Sequence, residues 1–187
     1  MVPIKRLFDL VVAIIAVILT APVLVGVALL IKYSDNGPVM FRQQRIGKNC
    51  REFTIYKFRT MVIDAEQRGG HSTMQHDPRI TSIGRILRAT SIDELPQLFN
   101  VIRGDMSIVG PRPDVPAQQP GYSLEDWTSR HSVRPGITGL AQATLRSSAT
   151  PVERLRLDLE YVKRPTIGHD MKIIMATVRQ VLVKGGN

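Results

Sequence analysis

Two adjacent carboxylates, Asp93 and Glu94, stand at the start of an apolar stretch and are the side chains best suited to chemistry. Proline is tolerated in the first turn of a helix, where its missing N–H would have no partner. Because Pro96 follows so closely, we predict that Asp93 is the N-cap and Glu94 the first helical residue. The alternative is a capping box of Ser91 with Glu94, which moves Pro96 to the fifth helical position. At such a helix end both carboxylates can face one site, and the same end favours phosphate.

Cationic side chains crowd around this acidic pair in the sequence. They are Lys57, Arg59, Arg85, Arg88, Arg103 and Arg112. Arg112 lies between Pro111 and Pro113, which restrict the backbone on both sides and so aim the side chain. Helix capping alone would explain an isolated Asp-Glu pair. Carboxylates among so many cations instead indicate metal and phosphate chemistry.

The charge balance points to an anionic partner. The chain of 187 residues has 25 Lys and Arg against 16 Asp and Glu, which gives a net charge of +9. This balance suits nucleic acid, anionic lipid or a phosphorylated substrate. Aromatic residues make up only 5% of the chain, so few rings are available for the base stacking that single-strand binders use. The single cysteine, Cys50, excludes an internal disulfide and indicates a reducing compartment.

An apolar segment occupies residues 7–31. As a straight helix it would extend roughly 37 Å, long enough to cross a bilayer core of ~30 Å. Pro22, near its middle, would kink such a helix. Lys and Arg flank both ends, and these residues prefer the cytoplasmic side. The segment therefore either enters the bilayer and returns at Pro22 or spans it once as a kinked anchor, and both topologies are open on these grounds.

The remaining patterns predict an α+β fold that is mostly helical, with a small β-hairpin and amphipathic interfacial helices. The hairpin strands are predicted at 39–42 and 53–58, and a further short strand at 107–109. Helices are predicted at 82–88, 123–130, 150–164 and 169–184. We divide the chain into a membrane segment, 1–33, and a second domain, 34–187, that form one structural unit.

A glycine-containing segment at residues 134–142 is a weaker candidate for ligand binding. Its glycines permit close approach of the backbone to a ligand. A lone Gly-x-x-Gly is also explained by turn geometry, so the pattern alone does not distinguish the two.

Several motifs in one order carry a resemblance to a known family. They are Ile-Tyr-Lys-Phe-Arg-Thr-Met at 55–61, Asp-Glu-Leu-Pro-Gln-Leu at 93–98, Gly-Asp-Met-Ser at 104–107, Gly-Pro-Arg-Pro at 110–113 and Arg-Pro-Gly-Ile-Thr-Gly at 134–139. With the apolar segment broken at Pro22, the chain resembles the monotopic phosphoglycosyl transferases, bacterial sugar transferases that start polyprenol-linked glycan assembly. The match covers nearly the whole chain, and its size is similar to the minimal catalytic form.

The resemblance implies a reaction and roles for individual residues. Sugar-1-phosphate passes from a UDP-sugar to polyprenyl phosphate, usually undecaprenyl phosphate, and UMP is released. Asp93 would be the nucleophile that forms a covalent phospho-sugar intermediate, and Glu94 would bind Mg²⁺. The implied phosphate-binding residues are Lys57, Arg59, Arg88 and Arg112. The implied nucleotide-binding residues are Arg134, Gly136, Thr138 and Gln142.

The resemblance also implies a location. Members of the family insert a re-entrant helix-break-helix into the bilayer, which favours the re-entrant topology here, with the catalytic domain at the cytoplasmic face of the bacterial inner membrane. Many members have Ser before the breaking proline, whereas this chain has Ala21. The partners would be the UDP-sugar, the polyprenyl phosphate and the lipid bilayer, with no nucleic acid; a homodimer is one option for the oligomeric state.

Two other hypotheses stay open at this stage. A membrane-anchored basic module that binds anionic lipid or nucleic acid would explain the charge and the apolar segment, but not the acidic pair among the cations. An enzyme of the same fold could instead release UMP by hydrolysis, without a lipid acceptor. The sequence identifies neither the sugar nor the glycan pathway.

Overall fold

A computed structural model of the chain describes residues 3–69, 77–145 and 150–184. Its helices and strands confirm the predicted α+β class, mostly helical with a small hairpin. The α-helices are α1 (Pro3–Asp35), α2 (Ala65–Arg68), α3 (Ser82–Ala89), α4 (Gln97–Arg103), α5 (Leu124–Arg130), α6 (Leu140–Leu145), α7 (Pro151–Lys163) and α8 (Ile167–Lys184). The strands are β1 (Met40–Ile46), β2 (Glu52–Phe58), β3 (Ser107–Val109) and β4 (Gly136–Thr138), and short 3₁₀ turns lie at Lys48–Cys50, Ile92–Glu94 and Pro116–Gly121.

The antiparallel hairpin of β1 and β2 is longer than the sequence pattern indicated. Phe41 pairs with Lys57, and the ladder continues to the pair formed by Ile46 and Glu52. Ile55 and Phe58 are buried, which anchors β2 to the core and directs its last residues to one edge of the molecule.

A second pair of strands, β3 and β4, is parallel. Strand β3 lies where a short strand was predicted, at 107–109, whereas β4 and the pairing were not predicted. Ser107 pairs with Gly136, and Val109 pairs with Thr138. A Cβ atom at Gly136 would lie 2.1 Å from the backbone nitrogen of Gly110. Only glycine therefore allows these two segments of the backbone to approach so closely. The pair holds the chain that leads into the Gly-Pro-Arg-Pro turn.

Helix α1 continues through Pro22 without interruption, so the predicted helix-break-helix is wrong as a description of its secondary structure. Proline removes one hydrogen bond and bends a helix, but it does not have to end it. Residues 4–35 contain an 18-residue stretch with a mean hydropathy of 2.9. By length and composition, the helix could therefore cross a membrane. Its re-entrant insertion stays a prediction.

One side of α1 packs on the rest of the protein along most of its length. Ala13 is fully buried and belongs to the main core cluster, while Val27 and Ile31 pack with Phe58 and Leu87 in a second cluster. The opposite side is exposed and apolar; its members include Leu7, Ile14, Ile18, Leu19, Val25 and Leu30. These contacts agree with one structural unit, although the boundary predicted at residue 33 stays untested.

Buried polar contacts fix both ends of α1 to the same body. Near the start, Lys5 Nζ donates to Asp170 of α8 at 2.5 Å, and Ser107 of β3 donates to Asp9 at 2.9 Å. At the other end, Asp35 accepts two hydrogen bonds from Arg59, at 2.5 and 2.7 Å. The two ends of the apolar helix therefore lie on one globular unit.

Candidate active site

The candidate site is a cavity of about 550 Å³ between the hairpin, α3 and the Arg112 turn. The ends of β1 and β2 form one wall, and the segment after β2 forms another. All six residues predicted for catalysis and phosphate binding line it: Lys57, Arg59, Arg88, Asp93, Glu94 and Arg112. Lys57 and Arg112 are 55 positions apart in the chain, so the fold brings together the group that the sequence pattern indicated.

The acidic pair lies on a 3₁₀ turn and not at the start of an α-helix, so the predicted N-cap is wrong. Ser91 has a left-handed backbone, with φ of 57°, and its side chain makes no cap hydrogen bond. The turn Ile92–Glu94 follows, and α4 begins only at Gln97, with Pro96 as its N-cap residue. The left-handed residue redirects the chain after α3, so both carboxylates lie on a tight turn at the cavity.

Glu94 is the centre of an ionic cluster. Lys57 Nζ donates to Glu94 Oε1 at 2.6 Å, and Arg112 Nη2 donates to the same oxygen at 3.0 Å. Burial alone would raise the pKa of Glu94, but the charges of Arg112 and Lys57 outweigh burial and lower the pKa to about 2. Burial and the nearby Arg112 lower the pKa of Lys57. Glu94 is therefore ionised at any physiological pH.

Asp93 is in a different electrostatic situation, although it is the next residue. It is 9% exposed, and no hydrogen bond to its carboxylate is found within the described ranges. Burial raises its pKa to about 6; the charge of Glu94 adds to this, while Lys57, Arg88 and Arg112 oppose it. The carboxylate is thus ionised at pH 7 but poorly solvated. A weakly solvated anion that no donor holds is suited to nucleophilic attack.

The other predicted phosphate-binding residues differ in how firmly they are held. Arg88 Nε donates to Thr60 Oγ1 at 2.9 Å, and burial lowers its pKa. Arg59 also lines the cavity, but its guanidinium group donates to Asp35 and to the carbonyl of Pro38 at 2.6 Å. These bonds give Arg59 a clear part in joining α1 to β2, and its phosphate-binding role stays a prediction.

Arg45 is a cavity residue that the sequence reasoning missed. Its Nη1 donates to the carbonyl of Pro113 at 2.9 Å, and its Nη2 donates to Gln43 at 2.6 Å. Burial, and next the charge of Arg112, lower its pKa to about 10. The first strand was predicted to end at Arg42, which left Arg45 in the loop that follows; a strand extended to residue 46 would have placed Arg45 near the cavity.

The four predicted nucleotide-binding residues do not line this cavity. Arg134 Nε donates to the carbonyl of Gly104 at 2.7 Å, and Thr138 shares a hydrogen bond with Thr177 at 2.7 Å. Gly136 is in the β3–β4 pair, and Gln142 Nε2 donates to the carbonyl of Ile137 at 3.3 Å. These contacts support the fold around β4, and the nucleotide-binding role stays a prediction.

The acidic pair fits the requirements of a Mg²⁺ ion that also binds a diphosphate. Mg²⁺ typically takes one or two carboxylates together with substrate phosphates and water. Lys57 and Arg112 both contact Oε1 of Glu94, and in the part of the chain that the structure describes no donor is found on Oε2. A cluster of three or more His, Cys, Asp or Glu is likewise absent from the described residues, so a metal held by protein ligands alone is not indicated there.

Comparison with known proteins gives a consistent result. The family model described as "Bacterial sugar transferase" matches residues 1–184. The chain is 44% identical to the "Exopolysaccharide production protein PSS" of Rhizobium leguminosarum bv. phaseoli, over 97% of this chain and 96% of that protein. It is 43% identical to a UDP-glucose:undecaprenyl-phosphate glucose-1-phosphate transferase of Caulobacter vibrioides, over 95% of this chain and 69% of that protein.

Some relatives are much longer than the matched region. The chain is 45% identical to the undecaprenyl-phosphate glucose phosphotransferase of Komagataeibacter xylinus over 94% of this chain, but it spans only 35% of that protein. On this match over nearly its whole length, the chain belongs to the bacterial sugar transferase family.

Proposed function

We propose that this protein transfers a sugar-1-phosphate from a UDP-sugar to undecaprenyl phosphate and releases UMP. The named relatives include enzymes with this activity. The observation that carries the proposal is Asp93. It is a poorly solvated carboxylate without a hydrogen bond from any described residue, and it lines a cavity whose other lining residues include Lys57, Arg88 and Arg112. A residue that only capped a helix would be bonded to backbone N–H groups.

In the first step, an Asp93 carboxylate oxygen attacks the β-phosphorus of the UDP-sugar. A bond forms between that oxygen and phosphorus, and the bond between phosphorus and the bridging oxygen breaks. The bridging oxygen leaves with its electron pair as part of UMP. The sugar-1-phosphate is then linked to Asp93 as an acyl phosphate.

In the second step, a phosphate oxygen of undecaprenyl phosphate attacks the same phosphorus. The new diphosphate bond forms, the bond to Asp93 breaks, and the carboxylate is regenerated. The sum of the two steps is undecaprenyl-diphospho-sugar and UMP, with no net redox change. This would be the first membrane step of a glycoconjugate or polysaccharide pathway.

The cations of the cavity make attack by an anion on a dianion feasible. Lys57, Arg88 and Arg112 supply fixed positive charge where negative charge develops, and in a partly buried site this counts for more than in water. Arg112 is 35% exposed as a side chain, so it can contact both Glu94 and an incoming phosphate. Glu94, with substrate oxygens, would hold Mg²⁺, which when bound neutralises charge on the diphosphate.

The arrangement of α1 supports a monotopic location at the membrane. A helix that crossed the bilayer as a straight rod would place its ends on opposite sides, ~30 Å or more apart across lipid. Here Lys5 and Asp35, near the two ends, both contact the catalytic body. We therefore propose that α1 enters and leaves by the cytoplasmic face, with its exposed apolar side in lipid.

The test measures UMP release from a panel of UDP-sugars, with Mg²⁺ and undecaprenyl phosphate in nanodiscs. Wild type and Asp93→Asn are compared, and intact-protein mass spectrometry without lipid detects the intermediate. We expect a mass gain of one sugar phosphate in wild type alone. Equal UMP release by Asp93→Asn would refute the nucleophile, and release that does not need the lipid would indicate hydrolysis.

The topology has a separate test. In a Cys50→Ser background, Ile4→Cys provides a label site near the start of α1, where the side chain is exposed. A membrane-impermeant thiol reagent should modify it only from the cytoplasmic side of vesicles. Modification from the opposite side would exclude the re-entrant topology and leave the catalytic proposal unaffected.

A further inference from the structure

The turn that carries Arg112 is held through its backbone by other parts of the fold. Each of the four consecutive carbonyl groups of residues 111–114 accepts one hydrogen bond. The donors, in order, are Gly136 N at 3.0 Å, Arg130 Nη2 at 2.8 Å, Arg45 Nη1 at 2.9 Å and Ile46 N at 2.9 Å. Pro111, Pro113 and Asp114 are buried, and buried backbone carbonyls need a partner. Because all four donors belong to other segments of the fold, the position of this turn depends on β1, α5 and β4.

Arg130, at the end of α5, is the donor with the largest set of partners. Its Nε donates to Asp158 of α7 at 2.9 Å, and its Nη1 contacts the carboxylate of Asp114. Its Nη2 donates to the carbonyl of Arg112 at 2.8 Å. One guanidinium group thereby connects α5, α7 and the 111–114 turn.

This ionic cluster is buried to a degree that needs an explanation. Arg130 and Asp158 are each 1% exposed, and Asp114 is 2% exposed. Burying such charges costs desolvation, and apolar residues of similar size are often as stable or more stable. What an arginine adds is geometry, because its planar fork can hold several acceptors in fixed directions at once.

We propose that Arg130 is a positioning residue for Arg112: with Asp114 and Asp158, it fixes the 111–114 turn so that the Arg112 side chain stays on Glu94. Arg130 is not among the residues that line the cavity, so it acts through the turn and not on the substrate. The kinetic part of the argument rests on the proposed function, whereas the structural part does not. Arg45 donates to the carbonyl of Pro113 but also lines the cavity. Substitution of Arg130 therefore tests the turn without removing a residue of the cavity.

The kinetic test is a double-mutant cycle on UMP release by the full-length protein in nanodiscs. Arg130→Lys keeps the buried charge but loses the fork, and Arg112→Ala removes the positioned side chain. We expect Arg130→Lys to lower kcat/KM about tenfold in wild type and less than about twofold in the Arg112→Ala background, as for a coupled pair. Equal losses in both backgrounds would overturn the proposal, because Arg130 would then support the fold in general.

Arg6→Lys is the matched control. Arg6 also bridges two backbone carbonyls, those of Val101 at 2.7 Å and Ile102 at 3.0 Å, but these belong to α4 and not to the turn. The factor by which Arg6→Lys lowers kcat/KM should be the same in the wild-type and the Arg112→Ala backgrounds. If Arg6→Lys were coupled to Arg112→Ala as strongly as Arg130→Lys is, the coupling would reflect a general loss of rigidity in the fold. That result would also overturn the proposal.

The pH dependence gives a readout that a purely structural role would not move. Burial raises the pKa of Asp93, and Arg112 is one of the cations that oppose this rise. If Arg130→Lys displaces Arg112, the acid limb of the kcat/KM profile should move to higher pH, in the same direction as for Arg112→Ala. An acid limb unchanged in Arg130→Lys, with activity reduced, would contradict positioning.

Hydrogen exchange tests the proposal without turnover. The amides of Ile46 and Gly136 report on the turn, because they donate to the carbonyls of Asp114 and Pro111. We expect faster exchange there in Arg130→Lys and no change in Arg6→Lys; unchanged exchange in Arg130→Lys would overturn the proposal even if no UDP-sugar supported activity. Should Arg130→Lys not fold, Asp158→Asn removes a partner of Arg130 without contacting the turn, and the same two outcomes apply.

Discussion

Asp93 and Glu94 are adjacent, yet replacing each by its neutral amide should change stability in opposite directions. Burial raises the pKa of Asp93 from 3.8 to about 6. The folded state therefore binds a proton more tightly than the unfolded state, so ionisation of Asp93 opposes folding above the unfolded pKa of 3.8, and this cost reaches its full size above pH 6. Asp93→Asn removes that ionised form and should stabilise the protein at neutral and alkaline pH, while it abolishes transfer.

The size of the effect follows from proton linkage. A pKa difference of about two units corresponds to about 3 kcal/mol of unfolding free energy at pH 8, falling to about 1 kcal/mol at pH 4.5. Taken at 2–4 °C per kcal/mol for a chain of this size, Asp93→Asn should raise Tm by roughly 6–12 °C at pH 8. The gain should shrink as the pH falls towards the unfolded pKa.

Glu94→Gln provides the matched comparison. The pKa of Glu94 is lowered from 4.5 to about 2 because Arg112 and Lys57 outweigh burial. Its ionised form contributes to stability above pH 4.5, and this contribution is lost as the pH falls towards 2. Glu94→Gln should therefore lower stability at pH 8 by about 3 kcal/mol.

The assay is thermal unfolding of both variants and wild type in one detergent, followed by intrinsic fluorescence at pH 4.5, 6 and 8. The expected pattern is a pH-dependent gain for Asp93→Asn and a loss for Glu94→Gln. A loss for Asp93→Asn at pH 8, or a gain that did not change with pH, would refute the idea that burial without a hydrogen bond raises the energy of this carboxylate.

Three further predictions concern rate and packing. Because Asp93 must be ionised, kcat/KM for UMP release should fall about tenfold per pH unit below pH 6, and a flat profile between pH 5 and 7 would contradict this. Lys57→Met leaves Glu94 without its 2.6 Å partner and should lower kcat/KM by roughly 10²–10³-fold, measured with the same assay; a loss under threefold would remove Lys57 from phosphate binding. Gly136→Ala would place a Cβ atom 2.1 Å from Gly110 N, so it should cost about 2 kcal/mol or more, seen as a lower Tm; an unchanged Tm would show that β3 and β4 can separate at no cost.

The residues of the site could be predicted from the sequence, because their types and the order of the motifs identify them. The acidic pair, Lys57, Arg88 and Arg112 were all selected before the fold was known, and they line one cavity. The local backbone was not accessible in the same way. The left-handed conformation of Ser91 has no signature in the residue pattern, so the helix start was placed three residues too early.

Long-range contacts account for the other differences. Strand β4 was not predicted because Gly136-Ile137-Thr138 has no strand pattern of its own; it is a strand through pairing with β3. Arg130 appeared as an ordinary polar residue of a short helix, yet its partners lie 16 and 28 residues away. Local periodicity carries no information on such pairs.

The contacts at the start of α1 have a consequence for biosynthesis. Lys5 pairs with Asp170, which is 165 residues further along the chain, and Asp9 accepts from Ser107, 98 residues away. At ~5–20 residues per second of synthesis, Asp170 follows Lys5 by on the order of 10–30 s. Ser107 is made earlier and can pair with Asp9, but until Asp170 is made the carboxylate nearest to Lys5 is that of Asp9, 3.7 Å away in the finished fold. The apolar helix therefore meets the membrane long before its final partner exists, and its docking completes only when α8 has been made.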